Sequence, residues 1–261
     1  LHGLGSIKTP SLFLDIERIR RNAERMSEVA LRNNVRLRPH IKTHKCIEVT
    51  RIQTAGHNGA ITVSTLAEAK AFAKHEFNDI TYAVPIEPGK FAEAIEILRG
   101  GVKLNVLTDD AETTKALDEA AGKAGVKFDI FVKIDCGTHR VGVEPHTAEA
   151  VEIPQTIWDA KNLNFAGILT HAGHSYDVRT REEILEVARH ERDVMVELAE
   201  RLRHLSIEVP TVSIGSTPTM SLIDHLEGID EIRPGNYIFY DNYQATLGSC
   251  SFEDTALTVL A

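Results

Sequence analysis

Two hydrophobic periods alternate along this chain. Short apolar runs bounded by Gly, Pro or Asp predict strands, and apolar residues three and four apart predict helices. Ser11–Ile16 reads as a short strand and Glu17–Asn34 as a helix, with Ile19, Ala23, Met26 and Ala30 on one stripe. Arg36–His44 reads as extended, and a modest helix over 46–55 ends at Gly56. Gly59–Ser64, Ile80–Pro85, Val102–Leu107, Phe128–Asp135, Phe165–His171, Pro210–Ile214 and Glu231–Phe239 are the further strands. Thr65-Leu-Ala-Glu68 predicts a helix opened by a capping box. Helices follow over Gly89–Leu98, after Asp109 and Asp110, over 146–160 despite Pro154, over Arg181–Leu205 and over Thr217–His225. Ile184, Leu185, Ala188, Met195, Leu198 and Leu202 share one face of the long helix.

From Arg36 onward this gives eight strands, seven of them followed by a helix. Such alternation implies right-handed parallel units. The count fits a (β/α)8 TIM barrel, usually about 250 residues long; a doubly wound open sheet is the alternative. The strand at Ser11–Ile16 lies outside the eight and is expected to pair with a strand beginning at Thr258. The expected division is an N-terminal strand over 1–16 belonging to a second, β domain, a barrel over 17–245, and over 246–261 the start of a truncated C-terminal β-domain.

Composition narrows the function. The net charge of -9 argues against nucleic acid as the main partner. Cys46, Cys136 and Cys250 show no metal-ligand spacing, which fits a reduced, cytoplasmic setting. No apolar run is long enough to span a membrane.

The chemistry concentrates at Arg38-Pro-His-Ile-Lys-Thr-His-Lys45. In an extended segment Leu37, Pro39 and Ile41 share one face, and Arg38, His40, Lys42 and His44 the other. This is either a solvated basic edge or the setting of a reactive lysine. Neighbouring positive charge lowers an ammonium pKa and frees the amine that a Schiff base to pyridoxal phosphate requires. Barrel sites lie at the carboxyl ends of the strands. There the chain places Asp135-Cys-Gly-Thr-His-Arg140, His171-Ala-Gly-His-Ser-Tyr176, Gly215-Ser-Thr-Pro-Thr219, Tyr240 and Asp241. Gly215-Ser-Thr-Pro-Thr219 is either an ordinary helix cap or an anion cradle at a helix start. His171 and His174 are a metal pair or, with Tyr176, lining groups. Arg140 is an ion-pair partner of Asp135 or an anion ligand inside the mouth.

These stretches, with Val63-Ser-Thr-Leu-Ala-Glu-Ala69 and Arg233-Pro-Gly-Asn-Tyr-Ile-Phe-Tyr-Asp241, resemble the D-serine dehydratase / D-threonine aldolase family. Those are fold-type III pyridoxal-phosphate enzymes with an alanine racemase-like barrel, and the chain looks most like the eukaryotic-type D-serine dehydratases. The resemblance implies that Lys42 carries pyridoxal 5'-phosphate as a Schiff base. It implies that Gly215, Ser216 and Thr217 hold the phosphate, that Tyr176 faces the pyridine nitrogen, that His40, His171 and Arg140 line the pocket and that Tyr240 reaches the phosphate. The expected reaction is elimination from a small D-amino acid, D-serine giving pyruvate and ammonia, in a homodimer. In family dehydratases a zinc ion sits on a His-x-Cys pair of the later domain. Zinc is therefore expected in the full-length protein through the absent C-terminal domain, with no such pair in this chain. The alternatives are a D-threonine aldolase, a 3-hydroxy-D-aspartate dehydratase, a non-catalytic pyridoxal-phosphate carrier, and a sugar-phosphate isomerase using Asp135 or Asp241 as base.

Overall fold

The computed structural model describes residues 7–261; residues 1–6, grouped above with the N-terminal strand, lie outside the described residues. The elements are β1 (Ser11–Leu14), α1 (Ile16–Arg32), β2 (Arg36–Leu37), α2 (Ile47–Gln53), β3 (Ile61–Val63), α3 (Leu66–Ala73), β4 (Asp79–Pro85), α4 (Phe91–Arg99), β5 (Lys103–Thr108), α5 (Ala111–Ala124), β6 (Phe128–Lys133), α6 (Glu149–Asp159), β7 (Leu163–Leu169), α7 (Arg181–His204), β8 (Val212–Ile214), α8 (Thr217–Leu222), β9 (Glu231–Ile232), α9 (Asn242–Leu247) and β10 (Leu257–Leu260).

Eight parallel strands run in the order β2-β9-β8-β7-β6-β5-β4-β3. Every strand lies beside its neighbour in sequence, so the order never reverses as it does in a doubly wound sheet. The two ends of the order are joined by a parallel bridge from His40 to Thr62, where Thr62 N–H donates to Pro39 O at 2.9 Å. That closure makes the sheet a barrel. Its strands are buried on both faces, as at Ile61, Thr62 and Val63, because side chains fill the interior and helices cover the outside. The helices turn their apolar stripes inward: α1 buries Ile19, Ala23, Met26 and Ala30, as its periodicity predicts. β1 and β10 form a separate antiparallel pair, with Phe13 opposite Thr258.

Three local expectations change. The extended reading of Arg36–His44 holds only to the bridge at His40; Ile41–Thr43 is a 3-10 turn. Lys42 N–H donates to His40 Nδ1, and Lys45 closes the turn at φ 50°. Arg38 therefore does not share a cavity face with Lys42. It lies buried in the barrel, bonding Glu231 at 2.8 Å and Asp79 at 2.7 Å. The strand expected over Glu231–Phe239 stops at Ile232, since Pro234 has no N–H to continue a ladder. Gly235 follows, where a Cβ would stand 2.6 Å from His40 O, and Asn236–Ile238 is another 3-10 turn. The capping box at Thr65 is half formed. Thr65 caps Glu68 N–H, but the Glu68 carboxylate accepts from Ser64 N–H and pairs with Lys45.

Candidate active site

A cavity with about 620 Å3 of empty space, counting its open mouth, lies at the carboxyl ends of the strands. Lys42 reaches it from the Ile41–Thr43 turn. Burial, and then the charges of Arg140 and Arg233, lower its ammonium pKa below the ordinary lysine value, against a smaller opposing effect of Glu68. His40, beside it, accepts Lys42 N–H on Nδ1 and faces Ser64 Oγ through Nε2 at 3.4 Å. Burial and the adjacent cations hold this ring well below its ordinary value, which keeps it neutral.

His171 follows β7 and presents Nδ1 to Gly215 O at 3.3 Å. Burial first, then Lys42, Lys133 and Arg233, push its pKa down to about 3. Tyr176 ends the short turn Gly173–Tyr176 and lines the cavity beside Thr217; burial raises its phenol. Ser216 caps α8 reciprocally with Thr219, and its Oγ meets Ser175 Oγ at 2.8 Å. Thr217 opens the helix, and its Oγ1 accepts Tyr237 N–H at 3.1 Å. Gly215 supplies shape: at φ 117° its N–H donates to Glu191 at 3.1 Å, away from the cavity.

Arg140 is exposed at the mouth and lines the cavity. It makes no pair with Asp135, whose Oδ1 accepts the N–H groups of Gly137, Thr138 and His139 at 2.9, 2.9 and 3.1 Å. Tyr240 is buried but does not line the cavity; its hydroxyl lies 3.2 Å from Ser221 Oγ. His174 turns to Thr138 Oγ1 at 3.3 Å and does not join His171 as a metal pair. Among the described residues the grouping with metal-ligand spacing is Asp135, His139 and Glu144, outside the cavity lining.

Contrary to expectation the chain does contain a His-x-Cys, His44-Lys45-Cys46. Both ring nitrogens of His44 are engaged, Nδ1 by Cys46 N–H and Nε2 by Gln53 Oε1 at 2.7 Å. The isomerase alternative loses its base, because Asp135 and Asp241 both face their own loops. Asp241 caps α9 at Gln244 N–H and accepts from Asn236 Nδ2.

Two cations went unassigned in the sequence. Lys133 ends β6, 5% exposed, with its ammonium lowered to about 8 by burial and then by Arg233. Arg233 follows β9, 4% exposed, and its Nε donates to Ser213 Oγ at 2.8 Å. A charge inside the apolar run Phe128-Asp-Ile-Phe-Val-Lys133 was the available signal, since such a side chain is rarely buried without purpose. Lys42, Lys133, Arg140 and Arg233 thus line a cavity to which, among the described residues, no carboxylate contributes. That donor set fits a small molecule with a phosphate and an aldehyde: cations and Thr217 for the one, the amine of Lys42, its ammonium disfavoured by burial and by Arg140 and Arg233, for the other.

The family described as alanine racemase, N-terminal domain matches residues 14–243. The chain is 37% identical over 257 residues to the D-threo-3-hydroxyaspartate dehydratase of Delftia sp. (strain HT23), covering 98% of this chain and 67% of that relative. The solved structure of that enzyme superposes with a TM-score of 0.94 over 97% of this chain and 67% of its own. A D-serine dehydratase of Dictyostelium discoideum is 38% identical over 274 residues, 99% of this chain and 69% of that relative. A D-threonine aldolase of Arthrobacter sp is 33% identical over 263 residues, 99% of this chain and 68% of that relative. The chain belongs to the alanine racemase N-terminal domain family, the fold-type III pyridoxal-phosphate enzymes, in the company of D-serine and 3-hydroxyaspartate dehydratases and D-threonine aldolases.

Proposed function

We propose that this protein is a pyridoxal-phosphate-dependent lyase that eliminates water from a small β-hydroxy D-amino acid, D-serine giving pyruvate and ammonia. The observation that carries the proposal is Lys42, an amine with lowered pKa in a cationic cavity without a lining carboxylate. The near identity of the two dehydratase comparisons, at 37% and 38%, keeps 3-hydroxy-D-aspartate as the second substrate.

The cofactor, when bound, supplies an electron sink for the charge left at the substrate α-carbon. Lys42 Nζ would hold the cofactor through its aldehyde, and as a free amine in the cavity it would take the α-proton as general base. Its lowered pKa keeps a larger share of the amine unprotonated near neutral pH. His40 fixes the turn that aims it. Thr217 and Ser216 bound the phosphate end and Tyr176 the ring end. Arg140, at the mouth, binds the carboxylate of the incoming amino acid. The neutral rings of His40 and His171 add no further charge to a pocket already rich in cations.

A homodimer and a zinc ion, which would supply Lewis acidity to the leaving hydroxyl, complete the proposal. A C353A mutant of a D-threo-3-hydroxyaspartate dehydratase has been solved in a metal-free form. We place β1 and β10 with a second, β domain, on the strength of their pairing apart from the barrel.

The test is product analysis with D-serine, D-threo-3-hydroxyaspartate and D-threonine, with cofactor and with or without chelator. Pyruvate from D-serine that vanishes on chelation supports the zinc-assisted dehydratase. Glycine and acetaldehyde from D-threonine would move the function to the aldolase. Cofactor bound at Lys42 with no product from any of the three would leave a carrier.

A further inference from the structure

The loops that follow β7 and β8 meet on one side chain that the mechanism leaves unused. Glu191 lies in α7 at 0% exposure, among buried Ile184, Ala188, Met195 and Leu198. A carboxylate there is costly unless its oxygens are satisfied. Its Oε1 accepts Ala172 N–H at 2.9 Å and Gly215 N–H at 3.1 Å. Its Oε2 accepts from Thr219 Oγ1 at 3.1 Å, and Thr219 Oγ1 in turn accepts Ser216 N–H at 3.0 Å.

The Gly215 residue is thereby gripped from both sides, its N–H by Glu191 and its carbonyl by His171. At φ 117° a glycine has no Cβ to restrict its own peptide planes, so their orientation has to come from outside. A Cβ would also stand 3.0 Å from Met220 Cγ, which leaves little room for a stiffer residue. The Gly215 and Ser216 N–H groups are drawn back into the protein, while Ser216, Thr217 and Asn236 line the cavity.

We infer that Glu191 is a positioning residue that shapes the anion cradle and so sets the preference for the phosphate-bearing form of the cofactor. This rests on pyridoxal phosphate being the ligand. The test therefore measures binding of pyridoxal 5'-phosphate and of pyridoxal, which lacks the phosphate, by fluorescence titration of the full chain. Wild type is expected to favour the phosphate form by about tenfold or more, the worth of a charge-assisted hydrogen bond. Equal affinities would sink the ligand assignment itself, whatever Glu191 does. Glu191→Leu is expected to weaken the phosphate form about tenfold or more and pyridoxal less than about twofold. Glu191→Gln keeps the oxygen that takes two N–H groups and is expected within about threefold of wild type for both ligands. A parallel loss for both ligands in Glu191→Leu, as a merely structural role would give, overturns the inference, as does no loss. A Glu191→Gln variant as weak as Glu191→Leu overturns it too. If Glu191→Leu does not fold, Thr219→Val, which removes the link to Ser216, is read by the same ratio of the two affinities.

Discussion

Lys42 acquires its reactivity from position. Burial, Arg140 and Arg233 disfavour the ammonium, whereas an exposed lysine beside them would be screened by water. Replacing Arg140, which is exposed at the mouth, with Gln removes a neighbouring cation and makes the ammonium less unfavourable. The Lys42 pKa then rises, and the pH midpoint for formation of the coloured imine with pyridoxal phosphate moves upward; an unchanged midpoint would contradict the assigned coupling. Lys42→Ala should abolish the imine absorbance altogether. Thr217→Ala carries a second effect besides the loss of a cavity-facing hydroxyl. Thr217 Oγ1 accepts Tyr237 N–H in the buried interior, so the substitution should cost about 1–3 kcal/mol of stability besides cofactor affinity. Thr217→Ser, which retains the oxygen, should be nearer wild type in denaturant midpoint.

At the scale of elements, short turns at the carboxyl ends of the strands do what longer strands would not. The Ile41–Thr43 turn packs under Gly235, whose absent side chain lets His40 O approach. Gly235→Ala should therefore displace His40 and lower both stability and the yield of imine; a variant with wild-type melting and imine formation would show that the close approach is dispensable. α1 is tied to the segment before β10 by Arg25, which bonds Asp254 at 2.9 Å. That hydrogen bond is the main reason the Asp254 carboxyl titrates at about 2 against an ordinary 3.8. A depressed carboxyl contributes stability that is complete above the unfolded value and disappears as pH falls through the folded one. The stability difference between wild type and Arg25→Met should thus be fullest above about pH 4 and shrink toward pH 2 in urea titrations. A difference independent of pH would assign the effect to packing of the arginine stem.

Across the whole molecule the barrel closes at one narrow seam. Thr62 is 0% exposed; its N–H donates to Pro39 O and its hydroxyl to Arg38 O at 3.0 Å. Thr62→Val keeps the shape but leaves Arg38 O without that donor. It should lower stability by about 1–3 kcal/mol, seen as an earlier urea midpoint at unchanged slope. No helix among the described residues is long and apolar enough to cross a membrane.

The barrel itself was legible from the sequence, because eight apolar runs alternating with helical stripes are local patterns of burial. So were Lys42, His40, His171, Tyr176, Ser216 and Thr217 as neighbours, since each stands at a strand's carboxyl end and a barrel gathers those ends at one face. The tertiary structure alone decided the rest. Whether Arg38 or Lys42 reached the cavity depended on a turn at Ile41–Thr43 that alternation does not encode. Tyr240, in the same motif as Arg233, came to lie behind α8 while Arg233 entered the cavity. Glu191 is, by local pattern, one polar position among many on a long helix, and only the packing of α7 against two loops makes it their shared acceptor. Periodicity records which side of an element is buried; what a buried polar atom bonds to is set by chain segments distant in sequence, which no local pattern carries.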